Sequence, residues 1–313
     1  MEITNTPYHI PNMEDADRIW LTARIADMFE NHLNDVPETA WFHTLRTHLE
    51  VPIQERLRDR YLPALQTWWR DYVLPLVSET ERTIFLYETR QHPHIAFTIL
   101  NACYYARGWS LTIYCTPNNL AFIREALGHN ADRARICMIE ADAGEYDANR
   151  DAYNQFLKSE ALWSDLWDTG IRYVLMMELD AYLRDFIPDG IEEFDYICSA
   201  WSWRPDEPGG GGISIRRVEK MLELCAVASD MEFPHQDCWL SAAICKVGGI
   251  ANNKLFVESQ YTPNPVGVHQ WWSFIPSNSE FATDAYAPGF MRLEGLEAQT
   301  LDGDLRAEHE SLC

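Results

Sequence analysis

Basic residues are scarce in this chain. Lys and Arg number 25 against 48 Asp and Glu, for a formal net charge of −23. A surface of that sign repels phosphate backbones and anionic headgroups, which argues against nucleic-acid and membrane-surface partners. No apolar run is long enough for a transmembrane helix. The start, Met-Glu-Ile-Thr-Asn-Thr-Pro, has no apolar core of the signal-peptide kind. None of the eight cysteines forms a CxxC pair, and Cys238 and Cys245 lack partners at zinc spacing. Most sit in apolar stretches such as Ile136-Cys137-Met138, so they read as reduced, buried thiols. A cytoplasmic protein is expected. Four glycines, Gly209 to Gly212, are not followed by the Lys-Ser or Lys-Thr of a P-loop, nor do they match GxGxxG behind a first strand. There is no internal repeat. What the chain does have is core: 313 residues, 47% hydrophobic, with 12 Trp, 14 Tyr and 13 Phe. That is a globular composition, of one large α/β domain or about two domains.

Residues 13–76 read as helical. Asp15 to Asn31 carries Ile19, Trp20, Ala23, Ala26 and Phe29 near a 3.6 period. A second helix is expected from about Glu38 to Glu50. A third is expected from Ile53 to Val73, bent or split by Pro63. No catalytic pattern shows there, and the segment reads as an N-terminal helical layer or accessory region. From residue 83 strands alternate with helices, which predicts βαβ units and a mostly parallel sheet. Strands are expected at 83–87, 111–115, 134–140, 174–177, 194–200 and 255–257, with a short one after the glycine run. Helices are expected at 94–107, before Gly128, at 146–167, at 218–228 and from an opening within residues 234–240 to about Cys245. The pair Tyr182-Leu183 reads as a turn. From Phe274 onward the chain reads as polar surface wrapping.

The most informative run is Val174-Leu175-Met176-Met177-Glu178-Leu179-Asp180. Ligands of open α/β sheets bind outside the carboxyl ends of strands. Residues i and i+2 of a strand share a face, so Glu178 and Asp180 can converge on one ligand. Two carboxylates there suit a hard divalent cation carrying phosphates; two solvated acids ending a strand are the plain alternative. The glycine run reads as backbone passing very close to a ligand or another strand, or as a flexible loop. Asp237, near a helix N-terminus, reads as a first-turn acid or a catalytic base. His269 lies beside Trp271 and Trp272.

Six segments in order carry a resemblance. They are Leu86-Tyr-Glu-Thr-Arg90, Met177-Glu-Leu-Asp-Ala181, Phe194-Asp-Tyr-Ile-Cys-Ser-Ala-Trp201, Gly209 through Arg217, His235-Gln-Asp-Cys-Trp239 and Gly267-Val-His-Gln-Trp271. Together they resemble the glycosyltransferase-like family DUF5672, over roughly residues 84–275. The resemblance implies a GT-A-like (Rossmann-like) mixed, mostly parallel α/β sheet flanked by helices. The domains would be a helical region at 1–82, the GT-A-like domain at 83–275 and a C-terminal extension at 276–313. It implies a nucleotide-sugar donor, UDP-linked, a divalent metal (Mn²⁺ or Mg²⁺) and a hydroxyl acceptor. Glu178, Asp180 and His269 would hold the metal, with Glu178 standing where the commonest form of the motif has Asp. Glu88 and Arg90 would lie near the nucleotide base and ribose, with Asp180 a further donor contact. Gly210, Gly211 and Gly212 would border the donor sugar. Asp237 would deprotonate the acceptor. The tryptophans at 201, 203, 239, 271 and 272 either stack on sugars or pack.

Glycosyl transfer needs a stabilised pyrophosphate leaving group and, for inversion, a base near the acceptor hydroxyl. The expectation is therefore a metal-assisted glycosyltransferase with Asp237 as base. A metal-dependent phosphoester hydrolase and a non-catalytic nucleotide- or carbohydrate-binding protein are the alternatives, since fold likeness does not fix function.

Overall fold

A computed structural model describes residues 13–33, 36–37, 40–139, 146–228, 231–277 and 287–298. The strands are β1 (Arg82–Glu88), β2 (Ser110–Cys115), β3 (Arg135–Met138), β4 (Tyr173–Met177), β5 (Ala181–Leu183), β6 (Tyr196–Ser199), β7 (Gly210–Arg217), β8 (Ala251–Val257) and β9 (Gly267–His269). They form one sheet in the order β3-β2-β1-β4-β7-β6-β8-β9-β5. The ladders β1–β2, β1–β4, β2–β3, β6–β8 and β8–β9 are parallel, whereas β4–β7, β6–β7 and β5–β9 are antiparallel. The expected mixed, mostly parallel α/β sheet with flanking helices is present.

Helices α1 (Met13–Asp27), α2 (Trp41–Leu45), α3 (Val51–Trp69), α4 (Ile95–Tyr105), α5 (Leu120–Leu127), α6 (Tyr146–Leu157), α7 (Glu160–Asp168), α8 (Val218–Val227) and α9 (Gln236–Lys246) flank it. In β4, Leu175 and Met177 join one core with Ile84, Leu86, Ile113, Leu57, Tyr61 and Leu65. Val174 and Met176 join a second core with Trp163, Leu166, Met221, Leu240 and Ile244. A strand buried on both faces loses its polar alternation, which is why this run reads as continuously apolar. The N-terminal helices thus cover one face of the sheet with α4, and α6 to α9 cover the other.

The sheet must curl. Only residues 178–180 separate β4 from β5, yet the two strands stand five places apart in the sheet. Five spacings in a flat sheet cover about 24 Å, whereas this link spans at most about 14 Å. The far edge therefore returns to the carboxyl end of β4 and carries β9 with it.

Several sequence expectations are corrected. Tyr182 and Leu183 lie in β5, not in a turn. Gly210, Gly211 and Gly212 belong to β7 itself, not to a loop ahead of it. The helix expected over 146–167 is two helices, separated at Ser159, whose hydroxyl accepts from the Leu162 amide. Pro63 does not split α3. In α1 and the turn after it, Ile19 and Phe29 are exposed while Leu21 and Met28 are buried. The face is rotated because Asp17 is buried as well, paired with Arg56 and Arg60 of α3. Beyond Phe274, Phe290, Met291 and Leu293 join the core rather than the surface. The part of the expected strand at residue 140 lies outside the described residues.

Candidate functional site

Glu178 and Asp180 follow β4 immediately, in a tight turn closed by the Ala181 amide donating to the Glu178 carbonyl at 3.1 Å. Their convergence comes from this turn rather than from strand alternation. The antiparallel β5–β9 ladder then sets His269 directly opposite Ala181. Glu178, Asp180 and His269 each offer a ligand atom within 4.8 Å of the others. His269 Nε2 lies 3.4 Å from Asp180 Oδ1 and 3.8 Å from Glu178 Oε2.

Groups that sequence reasoning did not single out set the geometry. Glu258, just past β8, places Oε2 3.4 Å from His269 Nδ1 and accepts from Trp201 Nε1 at 3.3 Å. A carboxylate on one ring nitrogen directs the other toward a metal, the usual outer partner of a histidine ligand. Gln270 donates from Nε2 to Asp180 Oδ2 at 2.5 Å. It does so from a left-handed backbone conformation with φ 45°, a strained arrangement of the kind that clusters at functional sites. Tyr153 of α6 donates to Glu178 Oε1 at 2.7 Å. The signal for Glu258 and Gln270 was faint: one is a lone acid at a strand end, the other a neighbour of His269.

Charge and burial act together here. Burial first, and the charge of Asp180 second, push Glu178 up to about 7. Burial alone would raise Asp180, but the His269 charge beside it and the Gln270 amide hold it well below the usual carboxylate range. Burial alone would lower His269, yet Asp180 and Glu258 raise it well above an ordinary imidazole. Asp180 Oδ1 and both ring nitrogens of His269 are buried, and although opposite charges stand 3.4 Å off, none of the three atoms makes a well-formed hydrogen bond. Buried polar atoms are normally satisfied. Asp180 Oδ1 and His269 Nε2, with Glu178 Oε2 3.8 Å from the latter, form a donor set that fits a divalent cation.

The glycines of β7 stand against these side chains. A Cβ on Gly212 would come 2.2 Å from His269 Nε2, and one on Gly210 would come 2.1 Å from Glu258 Oε2. A Cβ on Gly211 would meet Arg216 Nη2 at 2.6 Å and Asp237 Cβ at 3.3 Å. Their lack of side chains makes room for the acids and imidazole of the site. Asp237, in the first turn of α9, is half-buried and accepts from the Cys238 amide at 2.8 Å. It is near enough for its charge to help raise Glu178 and Glu258.

A cleft enclosing about 720 Å³, its open mouth included, lies beside this centre. Its lining includes Glu88 and Arg90 from the end of β1, Arg150 and Tyr153 from α6, Glu178 and Asp180, and Arg46. Glu88 is buried and accepts from Arg90 Nε and Nη2, both at 2.9 Å. Four of the five candidate tryptophans, at 201, 239, 271 and 272, are buried packing residues, whereas Trp203 is 53% exposed.

Residues 139–277 match the family model described as "Protein of unknown function (DUF5672)". The match takes in β4 to β9 and every residue of the candidate metal centre. The Leu86–Arg90 segment and the N-terminal helices lie outside it. No curated protein matches the chain. No helix among the described residues is long and apolar enough to cross a membrane.

Proposed function

We propose that the protein is a metal-assisted glycosyltransferase of GT-A-like architecture, moving a sugar from a UDP-linked donor to a hydroxyl acceptor. The observation that carries this reading is the convergence of Glu178, Asp180 and His269 at the carboxyl end of β4, beside a cleft lined by Glu88, Arg90 and Arg150. Glu178, Asp180 and His269 would hold Mn²⁺ or Mg²⁺, and a bound cation there would neutralise charge developing on the pyrophosphate leaving group. Glu258 and Gln270 keep His269 and Asp180 in place. In this reading Asp237 takes the proton of the acceptor hydroxyl. The new bond forms from that oxygen to the anomeric carbon as the bond to the donor phosphate breaks, so the anomeric centre inverts.

The test is a thermal-shift panel of nucleotide sugars with and without Mn²⁺, on wild type and Asp180→Asn. A ligand at about 100 times its Kd stabilises by about 2.7 kcal/mol, a shift of a few degrees. One donor should stabilise wild type only with metal, and Asp180→Asn should lose the effect. Asp237→Asn should keep donor binding and lose transfer. If no nucleotide sugar shifts the folded protein, the donor site is elsewhere or absent. Donor breakdown indifferent to every acceptor would replace the transferase with a hydrolase.

A further inference from the structure

The N-terminal helical layer does more than cover the sheet. Arg46 to Glu50 form a π-helical turn between α2 and α3, with the Val51 amide donating back to the Arg46 carbonyl. Such turns occur frequently at functional sites. Arg46 lines the cleft, and Glu50, buried one turn on, pairs with it at 3.4 Å. Gln54 fastens this turn to the candidate centre by donating from Nε2 to the Leu179 carbonyl at 3.3 Å and to Glu50 Oε1 at 3.2 Å. Leu179 lies between the two acids of the site, so the turn is docked on the loop that carries them.

Arg46 shares the lining of the cleft with two further arginines. Arg90 comes from the end of β1, and Arg150 from α6, where it reaches the His235 ring at 2.8 Å. Three arginines line one cleft of a chain whose net charge is −23. Arg46 and Arg90 are oriented by Glu50 and Glu88, and each guanidinium carries five N–H donors. Planar guanidinium groups lining a cavity match the oxygens of a phosphate chain.

We propose that Arg46, with Arg150 and Arg90, forms a diphosphate-binding subsite, and that the N-terminal layer is thereby an integral wall of the active cleft. The inference rests on the transferase reading only in placing its ligand in the same cleft. Arg90 is held by Glu88 and orients along it; Arg46 and Arg150 approach from separate elements and close the pocket over the phosphates.

The test is calorimetric titration of the full-length protein with inorganic diphosphate and Mg²⁺. The variants are Arg46→Gln, Arg46→Lys, Arg150→Gln and the control Arg70→Gln, which removes a charge from the exposed end of α3. Arg46→Gln and Arg150→Gln should each weaken diphosphate by roughly tenfold or more, the scale of one charge-assisted hydrogen bond. Arg46→Lys should recover part of the affinity, and Arg70→Gln should match wild type. Melting curves without ligand check that each variant is folded. Wild-type affinity in folded Arg46→Gln, or no diphosphate binding by wild type, overturns the proposal. Diphosphate binding that depends on Arg46, with no nucleotide sugar turned over, keeps this subsite and discards the transferase. Donor turnover with unchanged kinetics in Arg46→Gln does the reverse.

Discussion

Gly212 shows how narrow the room is at the centre. It sits in β7 beside Ile213, the partner of Met177, its carbonyl accepts from the Glu178 amide at 3.0 Å, and its absent Cβ leaves the space that His269 Nε2 occupies. Gly212→Ala should displace the imidazole, because a contact at 2.2 Å with a ring held by Glu258 and Asp180 cannot be absorbed by a flexible chain end. We expect a cost of about 1–3 kcal/mol from overpacking and loss of Mn²⁺-dependent stabilisation, read by melting with and without the metal. An unchanged metal shift in a folded Gly212→Ala protein would remove His269 from the ligand set. Glu178 and Asp180 stood out at this scale as acids ending an apolar strand, whereas His269 entered the set only through the family resemblance. Glu258 and Arg46 were not, because each is an ordinary charged residue until the fold brings it beside His269 or into the cleft.

Among elements, the attachment of α1 to α3 turns on one buried acid. Asp17 accepts from Arg56 Nε at 2.9 Å and also from Arg60, and all three side chains are buried. Arg56 also lies over the Trp20 ring at 4.6 Å. Asp17→Ala would leave two buried guanidinium groups without their carboxylate, a loss of about 3–5 kcal/mol. Urea denaturation should show it as a large fall in midpoint. A change under about 1 kcal/mol would mean that these arginines find water or other partners. This pairing also explains the misplaced helix face. Periodicity counts apolar side chains, so Ile19 and Phe29 outweighed a buried Asp whose partners lie about 40 residues away. The β-strands were legible because their apolar runs are long and bounded by Gly and Pro. The strands β5 and β9 were not, since three residues each carry no period, and only pairing makes them strands.

At the scale of the whole molecule, the curl of the sheet assembles charges that a linear reading cannot place, and pH is the variable that reveals them. Glu178 is held up at about 7 by burial and by Asp180, and Glu50 is likewise raised to about 7, again by burial first and Asp180 second. Their ordinary value is 4.5. A group raised on folding stabilises fully below its unfolded value, and that contribution is lost as pH rises through its folded one. His269 is raised too, and its contribution persists further up the scale. Asp180 is lowered and opposes them, giving stability above its unfolded value that is lost only in acid. The metal-free protein should therefore lose stability from this cluster between about pH 4.5 and 7, damped because the Glu178 side chain is 32% exposed. A divalent ion reverses the sign. It requires deprotonated carboxylates and a neutral imidazole, so binding releases protons and strengthens with pH. The melting temperature gained on adding Mn²⁺ should thus grow steadily from about pH 5.5 to 8 in wild type, and Glu178→Gln should flatten it. A gain independent of pH across that range would place the metal away from Glu178 and His269, and with it the chemistry proposed for the cleft.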